Sequence, residues 1–240
     1  MTQDLEIAIK KRYEEVLRQV LQTAKLAGRS VEDVRLMVVT KGHPLEVVKE
    51  VVKAGANLLG ENYAEQALPK IESLASMDLE WHMIGHVQSR KAQVVAENFV
   101  CVHSIDSLKI ANRLNHYAQQ ANRTLSVLME CNVSHEESKF GWPAWNESGW
   151  LHLVETWSQI CELPAIRVCG LMTMPPFDPD PEAARPYFAK LRRLRDFMAK
   201  QLPQIDWSEL SMGMSADFEV AIQEGATIVR VGTAIVGPRS

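Results

Sequence analysis

Short apolar runs alternate with amphipathic runs along most of this chain of 240 residues. The apolar runs predict eight strands, at residues 34–41, 57–61, 80–85, 99–104, 124–132, 165–173, 208–212 and 227–232. The amphipathic runs predict helices at residues 45–54, 62–75, 89–97, 107–121, 145–161, 181–201 and 216–224. Apolar strands without polar alternation are typical of a parallel sheet covered on both faces. Eight strands at about 26 residues per unit match the size of a (β/α)8 barrel.

A further helix precedes the first predicted strand. Residues 2–27 place Ile9, Tyr13 and Val16 at helical spacing, and Gly28 follows as a cap. We therefore predict an α/β fold in one domain over residues 1–240, with an N-terminal helix in 1–28 and a TIM barrel over 34–237. An open doubly wound sheet is the alternative, but no GxGxxG motif follows the first strand.

The first predicted strand, which begins at Val34, ends on Lys41. Parallel α/β folds carry their chemistry at the carboxyl ends of their strands. Apolar neighbours there would destabilise the ammonium form, so that more of the side chain would be a free amine that attacks aldehydes. The alternative is a lysine whose charged end simply reaches water.

The last two βα turns combine glycines with small hydroxyl side chains. Gly213 and Ser215 follow the seventh strand, with Ser215 as the predicted N-cap of the next helix, and Gly232 and Thr233 follow the eighth. In barrels these two loops commonly bind phosphate through backbone N–H groups, hydroxyls and helix N-termini. Together with Lys41 they predict a site for a phosphorylated aldehyde, and two purely structural loops are the alternative.

An arginine lies in the middle of the eighth strand. By the period of two, Arg230 shares a face with Ile228 and Gly232. If that face is the inside of the barrel, the guanidinium needs a partner, because an unpaired buried charge costs several kcal/mol.

Other polar or flexible side chains carry weaker signals. Asn62 follows the second strand, where it could contact a ligand or cap the next helix. Met172 or Met174, after the sixth strand, could pack against a ring, although core packing is the commoner role. His82 and His86 lie about 13 Å apart if the strand is straight, too far to bind one zinc ion, so no metal site is predicted. The polar loop at 132–141 is a candidate lid over the barrel mouth.

Composition restricts the partners and the compartment. The net charge of −4 gives no long-range attraction to nucleic acid or to an anionic membrane. The amino terminus does not have the layout of a secretion signal, and no apolar run approaches the length that spans a bilayer. The four cysteines lack CxxC spacing, which favours reduced, buried thiols. We predict a cytoplasmic protein that binds neither nucleic acid nor membrane.

Seven segments, taken in order, resemble the pyridoxal phosphate homeostasis proteins, the YggS/PROSC-like family. Besides the strand that ends on Lys41, they are residues 60–63 (Gly-Glu-Asn-Tyr), 80–85 (Glu-Trp-His-Met-Ile-Gly), 138–141 (Ser-Lys-Phe-Gly), 170–174 (Gly-Leu-Met-Thr-Met), 213–215 (Gly-Met-Ser) and 230–237 (Arg-Val-Gly-Thr-Ala-Ile-Val-Gly). The resemblance implies an alanine-racemase-type barrel of fold-type III that binds pyridoxal 5'-phosphate (PLP). It further implies a role in vitamin B6 and amino-acid homeostasis, without established catalytic turnover.

The resemblance also implies roles for single residues. Lys41 would form a Schiff base with PLP, Arg230 would face the pyridine nitrogen, and the phosphate would be held by Ser215, Gly232 and Thr233. Asn62, Met172 and Met214 complete the predicted cofactor-binding set. The chain departs from the family's usual motifs at Gly42, which is expected to loosen the lysine loop, and at His86–Val87, where the family has Pro-Leu.

Two other functions use the same residues. A fold-type III racemase or decarboxylase is one of them. Racemisation would need a second base, which alanine racemases supply as a tyrosine from an added β-domain, and this chain ends just past strand eight. A cofactor-free lysine aldolase would bind a sugar phosphate in the same loops. Under the homeostasis interpretation the partners are PLP, possible free amino acids and PLP-dependent apoenzymes that receive the cofactor.

Overall fold

A computed structural model describes residues 2–238, in which eight parallel strands close into a barrel. The strands are β1 (Arg35–Val39), β2 (Leu58–Glu61), β3 (Glu80–Met83), β4 (Cys101–Ile105), β5 (Leu125–Asn132), β6 (Trp142–Pro143), β7 (Ile166–Met172), β8 (Glu209–Ser211) and β9 (Ile228–Val231). Their order is β4-β3-β2-β1-β9-β8-β7-β5, and pairing of β4 with β5 closes the ring. The two-residue β6 adds to β5 outside this ring.

Helices follow the barrel strands and cover the outside of the barrel. They are α1 (Thr2–Leu26), α2 (Leu45–Lys53), α3 (Ala64–Ser73), α4 (Ala92–Asn98), α5 (Leu108–Gln120), α6 (Trp150–Cys161), α7 (Arg185–Gln201), α8 (Phe218–Gln223) and α9 (Thr233–Val236). The N-terminal α1 buries Ile9, Tyr13 and Val16, and it packs against α2, α8 and α9. Its apolar stripe is the one that the sequence pattern predicted.

The predicted (β/α)8 barrel with an extra N-terminal helix is confirmed. Each of the eight predicted strands is present with ends that differ by at most two residues. Met1, Arg239 and Ser240, which the predicted domain includes, lie outside the described residues.

The starts of three helices were predicted too early, since α4 also begins only at Ala92, after a 3-10 turn at Ser89–Lys91. A 3-10 turn at Glu147–Gly149 precedes α6, and another at Pro181–Ala184 precedes α7. Asn146 and Asp180 accept hydrogen bonds from the backbone N–H two residues further on. Such side-chain acceptors stabilise a turn in competition with the helix, which explains the later starts of α6 and α7. The short α9 and β6 were missed because so few residues show no periodicity.

Two further predictions concern thiols and membranes. In residues 2–238 all four cysteines are free thiols, as predicted, but only Cys101 and Cys131 are buried, whereas Cys161 and Cys169 are partly exposed. None of the helices in this range combines the length and the apolar character that crossing a bilayer requires.

The barrel interior divides into an apolar part and a polar part. Met37, Val39, Leu58, Ile84 and Ile228 form the apolar cluster. The polar part consists of buried side chains from four strands, namely His82, His103, Ser211 and Arg230. Polar groups inside a barrel must be hydrogen-bonded, and these four side chains contact one another in series.

Candidate functional site

A cavity of about 340 Å³ lies at the carboxyl ends of the barrel strands, a volume typical of small-molecule sites. It brings together seven of the eight residues that the sequence predicted: Lys41, Asn62, Met214, Ser215, Arg230, Gly232 and Thr233. The eighth, Met172, is buried in the barrel beside Cys101 and Leu128, and Met174 lines the cavity instead. In a continuous strand Met172 and Met174 would share one face. Because β7 ends at Met172, however, Met174 lies where the chain leaves the barrel.

Lys41 occupies the turn that follows β1. The preceding Thr40 is anchored on both sides, because its N–H donates to Gly60 O at 3.0 Å and its hydroxyl donates to Oε1 of Glu61 at 2.7 Å. Gly42, after the lysine, has a φ of +73°, in the left-handed region that favours glycine. The departure from the family motif at this position therefore suits the turn that presents the lysine.

A buried ion pair between Lys70 and Glu61 stabilises these contacts of Thr40. Nζ of Lys70 donates to Oε1 of Glu61 at 2.6 Å and to Thr40 O at 3.1 Å. Both charged side chains are buried. No local sequence pattern indicated this pair, since Glu61 ends a strand and Lys70 lies one to two turns into the following helix.

The prediction that Ser215 is a helix N-cap is wrong. The helix α8 begins at Phe218, its N-cap is Asp217, and Ser215 lies in the preceding turn beside the cavity. Oδ1 of Asp217 accepts the N–H of Met214 at 2.6 Å, which closes this turn. An Asp side chain can close such a turn through its own carboxylate, and this explains the later start.

The seventh loop depends on one glycine. Gly213 has a φ of +91°, and a Cβ there would lie 3.0 Å from Cα of Phe218. The glycine therefore allows the loop to fold tightly onto α8. In the eighth loop, Gly232 precedes α9, whose first N–H groups lack intrahelical acceptors as in any helix.

Arg230 points into the barrel, and its predicted need for partners is confirmed. Nη1 donates to Oγ of Ser211 at 2.7 Å and Nη2 donates to Thr173 O at 3.0 Å. Burial lowers the pKa of the guanidinium to about 10, while the charges of Asp217 and Glu130 act in the opposite direction. The side chain is thus a cation at neutral pH.

Asn62 does not cap α3, because Tyr63 is the N-cap and makes no side-chain capping hydrogen bond. Oδ1 of Asn62 is buried and has no hydrogen-bond partner among residues 2–238. The backbone of Asn62 packs closely against Gly85, because a Cβ added to Gly85 would lie 2.7 Å from Cα of Asn62. A buried oxygen without a donor is costly, and this one borders the cavity.

A second cavity of about 610 Å³ adjoins the first and shares Asn62, Ile84 and Met174 with it. The loop predicted as a lid contributes Phe140, whose ring stacks on His86 with centroids 4.2 Å apart. Glu130, at the end of β5, lines this cavity, and burial raises its pKa to about 7, with Asp106 adding to the effect. The closing motion of a lid stays a prediction.

The two histidines with HxxxH spacing, His82 and His86, have different surroundings. His82 is buried in the barrel, whereas His86 is partly exposed and forms an ion pair with Asp106 at 2.9 Å. The ligand atoms of His82, Cys101 and His103 all lie within 4.8 Å of one another. Sequence reasoning missed this cluster because its members come from different strands and no local spacing connects them.

The chain matches the family model of the alanine racemase N-terminal domain over residues 15–240. It is 41% identical over 228 residues to the pyridoxal phosphate homeostasis protein of Aquifex aeolicus, covering 95% of this chain and 97% of the relative. PipY of Synechococcus elongatus, solved with PLP bound, is 31% identical with a TM-score of 0.80, covering 95% of this chain and 100% of PipY. An alanine racemase of Clostridium difficile is 20% identical with a TM-score of 0.69, and the match covers 91% of this chain and 55% of the racemase. This likeness shows a shared fold alone. The chain belongs to the family of pyridoxal phosphate homeostasis proteins and carries the alanine racemase N-terminal domain.

Proposed function

We propose that this protein binds PLP covalently through Lys41 and acts in PLP and amino-acid homeostasis in the cytoplasm. The observation that carries the proposal is the convergence of Lys41, Arg230 and Ser215 on one cavity at the strand ends. PLP supplies an aldehyde, which condenses with an amine and releases one water, together with a phosphate and an electron-poor ring. Family membership and the PLP-bound PipY support the same assignment.

The residues present fit this group. The amine of Lys41 suits the aldehyde, and the side-chain amide of Asn62, which can donate as well as accept hydrogen bonds, borders the same cavity. Ser215, Gly232 and Thr233 offer a hydroxyl pair and a small backbone turn for the phosphate.

Arg230 would determine how the ring behaves. A guanidinium can only donate hydrogen bonds, so it favours an unprotonated pyridine nitrogen and weakens electron withdrawal by the ring. A ring that withdraws electrons weakly favours retention and release of PLP over turnover of amino acids. Free amino acids and PLP-dependent apoenzymes are the partners that such a protein would serve.

The proposal is tested by incubating the protein with PLP, reducing with borohydride and mapping the labelled peptide. We expect a yellow protein before reduction and the pyridoxyl group on Lys41 afterwards. Lys41→Ala should lose the label, whereas Lys139→Ala, a lysine of the 132–141 loop that pairs with Glu136, should keep it.

Three outcomes would contradict this assignment. A label on Lys91 or Lys139 would move the attachment point, and a colourless protein without label would favour the aldolase alternative. Exchange of the α-proton of alanine in deuterated water at about 10 per second, the median rate of enzymes, would restore the racemase.

The phosphate loops make a separate prediction. Ser215→Ala and Thr233→Val should each weaken PLP binding by roughly 10- to 150-fold, because each removes a charge-assisted donor of about 1.5–3 kcal/mol. Ser208→Ala, at the opposite end of the barrel beside β8, serves as the control. Dissociation constants for PLP and for pyridoxal, which lacks the phosphate, distinguish the cases. Equal losses for both ligands would show that the phosphate is bound elsewhere.

A further inference from the structure

A line of hydrogen bonds crosses the barrel interior from the cavity to the opposite mouth. Nη1 of Arg230 contacts Oγ of Ser211 at 2.7 Å, and Oγ contacts Nδ1 of His103 at 2.8 Å. Nε2 of His103 contacts Nδ1 of His82 at 2.9 Å, and Nε2 of His82 contacts Oε2 of Glu80 at 3.3 Å. We call these five residues the interior relay.

Four members of the relay are buried. Ser211 and His103 are 0% exposed, His82 is 3% exposed and Arg230 is 4% exposed. Glu80, at the start of β3, is half-exposed and also pairs with Arg35. The interior relay therefore links the candidate PLP cavity to the amino-terminal mouth of the barrel through an unbroken series of side-chain hydrogen bonds.

The two ends of the relay permit one direction of donation. Arginine has donors and no acceptor, so Ser211 must accept from Arg230. An ionised carboxylate has acceptors only, so Nε2 of His82 must carry the proton that faces Glu80. In between, Oγ–H of Ser211 then donates to Nδ1 of His103, and Nε2–H of His103 donates to Nδ1 of His82. The reverse arrangement would set an unprotonated nitrogen against the carboxylate.

We propose that the interior relay is one-directional, with both imidazoles as neutral Nε2–H tautomers, and that it holds the guanidinium of Arg230 in position at the cavity. Ser211, His103 and His82 are thus positioning residues that act through Arg230. The direction of the relay follows from the contacts together with the ionised carboxylate of Glu80 at one end. Its effect on a bound pyridine ring rests on the proposed function.

The charges of the surroundings agree with neutral rings. Burial holds the pKa of His103 well below its usual range, and the positive charges of Arg230 and Arg35 act in the same direction. Burial also lowers the pKa of His82, although Glu80 opposes this. The hydrogen bond from His82 and the nearby Arg35 lower the pKa of Glu80, so this end of the relay is a carboxylate.

The direction can be measured by nuclear magnetic resonance on the full chain labelled with 15N-histidine, without added PLP, at pH 7. Long-range 1H–15N correlations separate protonated from unprotonated ring nitrogens, and His82→Gln and His103→Gln assign the two rings. We expect Nε2–H tautomers for both. An Nδ1–H tautomer or a doubly protonated ring at either position would overturn the proposal.

The same spectra test a competing use of these atoms. His82, His103 and Cys101 each offer one ligand atom, and these atoms lie within 4.8 Å of one another, close enough to bind one metal ion. In the relay Nδ1 of His82 and Nε2 of His103 share a proton, so added zinc chloride should leave the ring-nitrogen correlations of both histidines unchanged. Loss of that proton with one equivalent of zinc would replace the relay by a metal site.

The positioning role is tested with Ser211→Ala, which removes the acceptor of Arg230 and the donor to His103. We expect a mixture of tautomers at His103, a shifted absorbance maximum of bound PLP and about tenfold weaker PLP binding. Ser104→Ala is the matched control, because it removes another buried hydroxyl of the barrel, one that donates to Gly85 O at 2.6 Å.

Equal effects of the two variants on PLP binding and absorbance would overturn the positioning role. If the parent protein bound no PLP at all, the proposed function would fail. The tautomer measurement would still decide the direction of the relay, since it uses no cofactor.

Discussion

Lys70→Met should lower the free energy of unfolding by about 3–5 kcal/mol. Lys70 is 5% exposed and Glu61 is 0% exposed, and their charged atoms lie 2.6 Å apart. Removal of the ammonium would leave a buried carboxylate whose second oxygen, Oε2, already lacks a hydrogen-bond partner among the described residues. Urea unfolding followed by circular dichroism measures the loss. Thr40 O would also lose a donor, so the backbone before Lys41 should become more mobile.

The double variant Glu61→Gln/Lys70→Met should recover most of this loss. Removing both charges avoids the uncompensated carboxylate, and the glutamine carbonyl can still accept the hydroxyl of Thr40. Lys53→Met is the matched control, because it breaks an ion pair of 2.8 Å in which the lysine side chain is 60% exposed. That change should be at most about 1 kcal/mol. A loss for Lys70→Met no greater than for Lys53→Met would refute the argument.

Glu130→Gln should stabilise the protein by about 3 kcal/mol at pH 8.5 and by far less at pH 5. Burial raises the pKa of Glu130 from 4.5 to about 7, so the folded state binds more protons than the unfolded state between these values. Stability therefore falls as pH rises through this range, and above it the full difference of about 3 kcal/mol is lost. Glutamine keeps the shape and has no charge to desolvate.

Urea unfolding of the parent and the variant across pH 5 to 8.5 measures this difference. The exposed Glu137→Gln, in the neighbouring loop, should change stability by about 0.5 kcal/mol or less at either end of the range. Curves for Glu130→Gln and the parent that run parallel with pH would show that Glu130 titrates as an ordinary exposed carboxyl.

Local patterns in the sequence determined the barrel and the ends of its strands. An apolar run that is buried on both faces can be recognised from its own residues, whichever elements pack against it. The eight strands were therefore predicted to within two residues of their observed ends. Strand ends in a parallel barrel meet at one mouth, so the strand pattern alone predicts that Lys41, Arg230 and the glycine loops lie together. Seven of the eight predicted cofactor residues line one cavity for that reason.

Only the tertiary structure decided which polar groups contact one another inside the barrel. His103 and Ser211 are 108 positions apart and Lys70 reaches back to Thr40 across 30, so no periodicity of 2 or 3.6 connects them. The turn at Ser215 depended on whether the carboxylate of Asp217 was near enough to accept the N–H of Met214. A sequence specifies which faces are buried, but the pairing of polar groups within a barrel depends on which strands lie opposite each other, and that is settled only when the ring closes.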